Sequence, residues 1–420
     1  MIDIDLIRNQ PDRVEAGVKA KGFDIDLEKI REFDENRRHL QVQIDGLRAK
    51  RNALSVEEAK AQGGAIKQEL ASLEEKVKEV SATLEGELLR IPNLPISDVP
   101  VGAGESANTV IKTVGDKPNL TNPKDHLDLG LALDLIDMER AAKVSGGRFN
   151  FLKNELVLLE LAMINYAFAV AIKYGYTPLL TPELVNRATV LGTGYLPYGE
   201  EEVYKTQDDL YLIGTSELAA VAYHADELLE AKELPKRYVA FSSCYRREAG
   251  TYGKDMRGIL RQHQFMKVEM VSLVEPEESE AELAKILMIE EEVMQGLGLP
   301  YQVVQMGTGD LGMQAAKKFD IEAWLPAQNT YRETHSCSNT TDFQTRRLNI
   351  RYKADDGTNR FVHALNGTVV SQRPLIAIME NNQQADGSIK IPEVLVKYTG
   401  FQEIRNPKHQ IQDKDLNPQL

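Results

Sequence analysis

The segment SSCYRREAGTYGKDMRGILRQHQFMKVEM (242–270) concentrates cations in a chain whose formal net charge is -14. Its basic residues are Arg246, Arg247, Lys254, Arg257, Arg261 and Lys267. Arginine suits phosphate oxygens, because its planar guanidinium donates parallel hydrogen bonds to them. Glu248 and Glu269 lie among these cations, although a site for an anion alone would not include carboxylates. The segment therefore indicates a ligand that carries charges of both signs.

The first half of this segment has the pattern of a strand. YVAFSSCYRREAG (238–250) is predicted to continue as a strand through Arg246 and Glu248. Alternate residues of a strand share a face, so the cation and the carboxylate would share one environment while Arg247 faces away.

The second half is predicted as a returning strand after a loop. ILRQHQFMKVEM (259–270) carries Arg261, Phe265 and Glu269. The arginines would hold phosphates, the ring would stack on a base, and a carboxylate would hold an ammonium group or a metal ion. We interpret the two strands as a platform for a nucleotide and an amino acid. A salt-bridged surface hairpin is the alternative that these residues alone leave open.

Composition limits the class of protein. A chain of 420 residues predicts two or three domains, and 42% hydrophobic with 27% charged residues is ordinary for a soluble protein. No signal peptide and no apolar run of membrane-spanning length are recognisable. Cys244 and Cys337 are too few for a disulfide framework or a four-cysteine zinc site. We expect a cytoplasmic protein without a membrane partner.

Residues from about 28 to 90 predict a long helical hairpin. Their apolar seams are Leu40, Ile44, Leu47 and Leu54, then Ile66, Leu70, Leu73, Val77, Val80 and Leu84. AQGG (61–64) is predicted to stop the first helix and turn the chain. Each helix of roughly 30 residues would reach about 45 Å. A dimerisation coiled coil is the alternative.

The remainder predicts an α+β domain built on a mostly antiparallel sheet. IPNLPISDVPVGAGES (91–106) is predicted as a linker because of its prolines and glycines. A helix is predicted over 154–175. The segments predicted as β-rich are 209–214, 237–246, 268–274, 301–307, 349–353 and 374–379. The polar tail, 401–420, is expected to be loose.

CYRREAG and RGILRQHQFMKVEM together resemble motif 2 of class II aminoacyl-tRNA synthetases, in the form of the seryl-tRNA synthetase family. Other stretches similar to that family follow in order to about residue 400. They are the arm with RIPNLP (90–95), 123–153, 176–197 around motif 1, GTSE (214–217), 333–353 and 363–395 around motif 3. The resemblance implies a tRNA-binding domain at 1–100 and a class II catalytic domain at 101–400. It implies activation of serine by ATP, release of pyrophosphate and transfer of serine to tRNA(Ser), with tRNA(Sec) left open.

The resemblance also assigns residues to ATP. Arg246 matches the arginine that holds the α-phosphate and the substrate carboxylate, and Glu248 matches the acid that reads the adenine amino group. Phe265 matches the ring stacked on adenine, and Arg261 and Arg373 match the arginines on the terminal phosphate. Arg246 and Arg373 are thereby the catalytic candidates. Cations lower the barrier of this reaction because a carboxylate must attack a phosphate that repels it.

Metal and serine ligands follow from the same resemblance. Glu333 and Ser336 match the pair that coordinates Mg²⁺. The residues that match the serine pocket are Thr215, Glu217, Arg246, Glu269, Asn366 and Thr368. Groups that hydrogen-bond a substrate hydroxyl reject an analogue lacking it, which is how alanine would be excluded.

The arm and motif 1 imply macromolecular partners. In this family the arm reads the shape of the long variable arm of the tRNA, and motif 1 implies a homodimer. The predicted phosphate contacts are Arg37, Arg38, Arg48, Lys50, Arg51, Lys60 and Lys67. Lys254 and Arg257 are predicted on a loop that meets the acceptor end of the tRNA.

The chain departs from the family pattern beside the serine pocket. NGTVVSQR (366–373) is one residue shorter than the usual stretch, Pro374 follows its arginine, and His335 stands where serine is usual. Two alternatives therefore stay open. One is a duplicated variant that handles a serine analogue or loads a carrier other than tRNA. The other is an inactive, synthetase-like RNA-binding or regulatory protein.

Overall fold

The computed structural model describes residues 1–249, 255 and 257–405. The chain divides into two compact units, of which the first is Met1–Leu94 and the second begins at Pro95. That division falls within the stretch predicted as a linker. The loop predicted around 251–253, Lys254 and most of the predicted tail lie outside the described residues. The first residues of that tail are ordered, since Glu403–Ile404 pairs with Ile389–Lys390.

The helices, numbered in chain order, are α1 (Ile4–Asn9), α2 (Pro11–Ala20), α3 (Leu27–Ala53), α4 (Val56–Leu88), α5 (His126–Ala132), α6 (Met138–Ser145), α7 (Glu155–Lys173), α8 (Arg187–Gly192), α9 (Glu217–Ala222), α10 (Ser279–Gly296), α11 (Phe343–Arg347), α12 (Arg373–Asn381) and α13 (Glu393–Thr399). The strands are β1 (Thr109–Val114), β2 (Ile136–Asp137), β3 (Phe151–Leu152), β4 (Thr177–Leu180), β5 (Leu184–Asn186), β6 (Tyr204–Lys205), β7 (Leu210–Leu212), β8 (Leu228–Glu230), β9 (Lys236–Tyr245), β10 (Gln264–Val274), β11 (Tyr301–Gln305), β12 (Lys317–Leu325), β13 (Thr330–Asn339), β14 (Arg351–Lys353), β15 (Asn359–Phe361), β16 (His363–Ser371), β17 (Ile389–Lys390) and β18 (Glu403–Ile404).

The first unit contains the predicted helical hairpin. Helices α3 and α4 pack along their apolar seams, with Ile44, Ile66 and Leu70 buried between them. The prediction that AQGG (61–64) forms the turn is wrong, because α4 runs through both glycines. The chain reverses at Leu54 and Ser55 instead. Ser55 and Glu58 form a capping box there, which satisfies the first amides of α4 and fixes its start.

The second unit is built on an eight-stranded sheet of order β1-β11-β12-β13-β16-β10-β9-β4. Its strands are antiparallel except β4, which runs parallel to β9. This confirms the predicted α+β class. Buried residues of α7, α10 and α12 pack with the sheet in one hydrophobic core. The sheet can therefore present its other face to a ligand.

One segment predicted as β-rich is a helix. Residues 374–379 lie in α12, where all of the side chains from Pro374 to Asn381 are buried. A short apolar run is compatible with a buried helix as well as with a buried strand, so the sequence pattern could not distinguish the two. Pro374 stands in the first turn of that helix, a position that needs no amide donor.

Helix α7 corrects the expectation that no segment has membrane-spanning length. Its 19 residues are long and apolar enough to cross a membrane. Half of its most apolar window is buried inside the protein, however, as in the core helix of a soluble domain. The other side of α7 exposes Val157, Leu158, Leu161 and Ile172.

Candidate functional site

Strand β10 forms the floor of the site. It pairs with β9 on one side and with β16 on the other. Val268 and Met270 are buried in the core, whereas Phe265, Lys267 and Glu269 alternate with them and line cavities on the opposite face. The pairing of β9 with β10 confirms the predicted pair of strands.

Two register shifts bring the remaining residues to that face. Glu333 and Ser336 are three positions apart and would face opposite sides of a regular strand. The shift between Ile321 and Glu322 gives β13 an extra residue, Thr334, and both side chains line one cavity. Such bulges re-aim side chains.

The second shift lies beside the first. Between Val268 and Glu269 of β10, strand β16 gains the extra residue Val369. His335 is buried and its Nε2 lies 3.1 Å from the Val369 carbonyl oxygen. Burial lowers the pKa of His335 to about 4, so the ring is neutral and donates to that carbonyl. His335, one of the departures from the family pattern, thus joins the two bulges.

The larger of two neighbouring cavities, about 230 Å³, gathers the residues predicted for ATP. Arg246 donates from Nε to the Gly214 carbonyl at 3.2 Å, and its guanidinium lies 5.3 Å from the centre of the Phe265 ring. Arg261 donates to Glu248 Oε2 at 2.7 Å. The prediction that Arg246 and Glu248 share a strand face is wrong, because β9 ends at Tyr245. Glu248 adopts a φ of 50° and reaches the cavity through a turn.

Arg373 lies at the same cavity, paired with Glu333. Its guanidinium donates to Glu333 Oε2 and to the Glu333 carbonyl oxygen, both at 2.9 Å. Burial opposes ionisation of Glu333, but the charges of Arg373 and Lys318 outweigh it and bring the pKa of Glu333 to about 2. Glu333 is therefore a carboxylate at neutral pH, facing the cavity together with the Ser336 hydroxyl.

The neighbouring cavity, about 170 Å³, gathers residues predicted for serine. Thr215, Glu217, Glu269 and Asn366 line it and are buried. Thr368 donates to Glu269 Oε2 at 3.3 Å from the edge of the larger cavity. Burial, and then the nearby charge of Glu269, raises the pKa of Glu217. Two buried carboxyl groups in one small polar cavity favour a ligand that brings its own positive charge.

Arg246 lines both cavities together with Ser336, which was predicted, and with two lysines that sequence reasoning did not assign to the site. Lys267 donates to Glu269 Oε2 at 2.6 Å and forms a wall of both, as do Lys318 and Ser336. Lys267 could have been found, because it lies two positions from both Phe265 and Glu269. Lys318 comes from β12, a strand that the sequence pattern did not predict.

Two further residues escaped the sequence analysis because they act through Glu217. Tyr195 donates to Glu217 Oε2 at 3.1 Å, and Gln344 donates to Oε1 at 2.7 Å. Both lie in stretches that resemble the family, 176–197 and 333–353, but the resemblance assigned them no role. They hold the Glu217 carboxyl in place within the smaller cavity.

The arm residues predicted to contact tRNA fall into two groups. Arg37 pairs with Asp34, and Arg48 pairs with Asp45 and Glu74. Arg38, Lys50, Arg51, Lys60 and Lys67 are exposed and form no ion pair with a described residue. In the second unit, Arg257 is paired with Asp125 and Asp128.

The described residues contain no cluster of three or more histidine, cysteine, aspartate or glutamate side chains suited to a metal ion. Glu333 and Ser336 supply two oxygen donors on one wall. That set fits Mg²⁺ bound chiefly by substrate phosphates and water, as this ion commonly is.

Known proteins similar to this chain match over almost its whole length. The family described as seryl-tRNA synthetase N-terminal domain matches residues 1–95. The tRNA synthetase class II core domain (G, H, P, S and T) matches residues 201–382. The serine-tRNA ligase of Thermotoga neapolitana is 48% identical over 424 positions, covering 96% of this chain and 100% of that protein.

Two solved structures share the fold. Seryl-tRNA synthetase from Pyrococcus horikoshii, complexed with ATP, has a TM-score of 0.91 at 41% identity, covering 97% of this chain and 100% of its own. The cytoplasmic serine-tRNA ligase from Naegleria fowleri, in complex with AMP, has a TM-score of 0.89 at 34% identity, covering 97% and 99%.

Proposed function

The chain belongs to the seryl-tRNA synthetase family, and we propose that its two adjoining cavities hold ATP and serine for the ATP-dependent serine-tRNA ligase reaction. The observation that carries this assignment is the shared wall. Arg246 lies between a cavity with further arginines and an aromatic ring and a cavity with two buried carboxyl groups. The former suits a nucleotide, and the latter suits an amino acid.

The first step is formation of seryl-adenylate. A serine carboxylate oxygen attacks the α-phosphorus of ATP, the bond to the bridging oxygen of the β-phosphate breaks, and pyrophosphate leaves with that electron pair. Arg246 stands where it can hold both the attacking carboxylate and the α-phosphate. Neutralising charge and fixing the line of attack are the main contributions available to a protein in such a transfer.

The other ATP contacts are assigned by position around the larger cavity. Phe265 stacks on adenine, Glu248 accepts from its amino group, and Arg261 and Arg373 hold the terminal phosphate of a bent ATP. In the structure these arginines are paired with Glu248 and Glu333. When ATP binds, each arginine must therefore either leave its carboxylate partner for a phosphate or contact both at once.

Mg²⁺ belongs to this proposal as a partner of the phosphates. Glu333 and Ser336 would hold it, because they are the oxygen donors that the bulge in β13 brings to one face. When bound, the ion neutralises phosphate charge. Glu333 is suited to the task because its neighbouring cations keep it ionised.

Serine is recognised through its charge and its hydroxyl. Glu217 and Thr215 receive the ammonium group, while Glu269 and Thr368 hydrogen-bond the hydroxyl and Asn366 closes the pocket. Lys267 supplies a positive charge next to Glu269. Alanine would leave these buried polar groups unpaired, which is the strong form of discrimination.

The arm is proposed to bind the long variable arm of tRNA(Ser). Arg37, Arg38, Arg48, Lys50 and Arg51 are the candidate phosphate contacts. Arg38, Lys50 and Arg51 are the best placed among them, because each is exposed and free of an ion pair within the described chain. Contacts of this kind position a nucleic acid without reading its bases.

A homodimer in the cytoplasm completes the proposal. The exposed apolar side of α7 offers Val157, Leu158, Leu161 and Ile172 to a second copy, with Leu180 of β4 nearby in the chain. Adjacent apolar side chains on a soluble surface are typical of an interface. Cys244 and Cys337 are buried free thiols, which suits a reducing compartment.

Serine-dependent exchange of pyrophosphate into ATP, followed by charging of tRNA with a long variable arm, tests this function. The proposal expects both activities. Exchange without charging of tRNA would favour loading of another carrier. Absence of exchange would leave the inactive, RNA-binding alternative.

A further inference from the structure

Helix α10 carries a carboxyl group that no step above uses. Glu290 is completely buried, and neither of its carboxyl oxygens has a hydrogen bond of standard geometry to a described residue. Burying a carboxyl group in this way is costly unless it is neutral. A hydrocarbon side chain of similar size would stabilise the folded protein more at this position.

The carboxyl lies directly behind the strand that forms the serine pocket. A Cβ atom at Gly367 of β16 would come within 2.9 Å of Glu290 Oε1 and 2.3 Å of Ile286 Cγ2. Residue 367 must therefore be glycine for α10 to approach this closely. The neighbours of Gly367, Asn366 and Thr368, point the other way, into the two cavities.

The contacts of Glu290 join this strand to its partner. Its Oε1 and the Cβ atom of Cys337 on β13 would lie 2.9 and 3.1 Å from a Cβ atom at Gly367 of β16, so the two side chains meet at that residue. Cys337 is itself paired with Gly367 across the two strands. One side chain of α10 therefore touches the backbone at the point where β16 bulges and where β13 turns Ser336 toward the cavity.

Burial, reinforced by neighbouring carboxylates, favours the neutral form of Glu290. Burial raises its pKa well above the ordinary value, and the carboxylates of Glu269 and Asp320 raise it further. A neutral carboxyl group can both donate and accept a hydrogen bond. It thus supports the strand without adding a negative charge behind Glu269.

We propose that Glu290 is a positioning residue for serine, which fixes Asn366 and Thr368 from the far side of the sheet and thereby sets the serine affinity of the pocket. This inference rests on the proposed function. It assigns to Glu290 no contact with substrate. Its effect should be larger in serine binding than in ATP binding, because Gly367 lies between Asn366 and Thr368, which are both assigned to serine, whereas on β13 Glu290 approaches Cys337 and none of the residues assigned to ATP.

The test compares Glu290→Gln, Glu290→Ala and a control, Val293→Ala, in the full-length protein. Val293 is equally buried on α10 and lies one turn further along. Steady-state pyrophosphate exchange gives separate KM values for serine and ATP, and thermal unfolding gives the stability of each variant. Glu290→Ala is expected to raise the KM for serine about tenfold and to leave the KM for ATP within about twofold, which is the signature of lost ground-state binding.

Glu290→Gln keeps the size, the neutral charge and the hydrogen-bonding capacity of the side chain, so it should recover most of the serine affinity. Val293→Ala should lower stability with both KM values unchanged. The inference is overturned if the KM for serine does not rise in Glu290→Ala, if both KM values rise together, or if Val293→Ala reproduces its effect. If Glu290→Ala does not fold, Glu290→Leu, which keeps the bulk of the side chain without its hydrogen-bonding groups, replaces it, and a KM for serine raised no more than its KM for ATP overturns the inference. A wild-type chain without serine-dependent exchange would overturn the proposed function first, and this inference with it.

Discussion

We expect activation of serine to depend most on the guanidinium of Arg246. It faces both cavities, is held by the Gly214 carbonyl, and lies over the Phe265 ring. Arg247, the next residue, is exposed and lies 5.7 Å from the centre of the Tyr204 ring. The two arginines are adjacent in the chain but face different surroundings, so Arg247 can serve as a matched control for substitutions of Arg246.

Arg246→Ala is expected to reduce pyrophosphate exchange about 1,000-fold, because a charged donor to the developing phosphate charge is lost. Arg247→Ala should stay within about threefold of wild type. Exchange kinetics on both variants, with tRNA affinity measured alongside, check this. Equal losses in the two variants would remove Arg246 from its assigned role.

Individual site residues were predictable where they lie on one face of a predicted strand or within a motif that resembles the family. Phe265 and Glu269 are four positions apart on β10, and the structure places both on the face of the cavities. For Glu248 the resemblance led to the right cavity, but the strand argument was wrong, since its left-handed backbone conformation beyond the end of β9 directs it there. Lys318 and Gln344 could not be predicted, because only the sheet topology and the packing of α11 bring them to the site.

Among the secondary-structure elements, the apolar seams of α3 and α4 carried enough information to predict the hairpin. Its turn was misplaced, because consecutive glycines are strong breakers in sequence yet cost only about 1 kcal/mol each in a helix interior. Helix α4 has 33 residues over which to absorb that cost. The bulges at Thr334 and Val369 had no sequence signal, since they arise from the pairing of strands far apart in the chain.

The neutral ring of His335 makes the stability of the sheet sensitive to acid. Its pKa in the folded protein is about 4, below the value of about 6.5 for an unfolded chain, so the unfolded state binds the proton first as pH falls. Stability should therefore decline between about pH 6.5 and pH 4, by up to about 3 kcal/mol from this group.

His335→Gln removes this titration while keeping a donor for the Val369 carbonyl. Urea unfolding followed by the fluorescence of Trp324, the single tryptophan of the chain, measures both proteins across the pH range. The variant should lose less stability than the wild type between pH 6.5 and pH 4. Parallel losses would show that His335 does not contribute.

Two nearby cations of the arm, Arg48 and Lys50, differ in whether they form an ion pair. Lys50 has no ion pair among the described residues, whereas Arg48 donates to Glu74 at 2.9 Å. Lys50→Gln should weaken binding of tRNA(Ser) and reduce the salt dependence by about one counterion. Arg48→Gln should change that slope less, because Arg48 is already paired with Glu74. Affinity titrations at several salt concentrations provide the comparison, and identical slopes for both variants would contradict it.

The assembled protein is expected to be a dimer held by α7. Leu158→Asp and Leu161→Asp should each convert it to a species of 47.0 kDa, because a charge in an apolar interface is left unpaired. Met288→Asp, at an exposed residue of α10, is the matched control. Light scattering after size-exclusion chromatography measures the mass. A monomeric wild type, or variants that remain dimeric, would contradict the proposed interface.

Incubation of the protein with ATP, Mg²⁺, pyrophosphatase and one amino acid, followed by mass spectrometry of the bound small molecules, reports directly on the two cavities. With serine, the protein should retain seryl-adenylate in about equal amount to its active sites, and with alanine it should retain almost none, since Glu269 and Thr368 would be left unpaired. No adenylate with serine, or as much alanyl-adenylate as seryl-adenylate, would contradict the assignment of ATP and serine to this site.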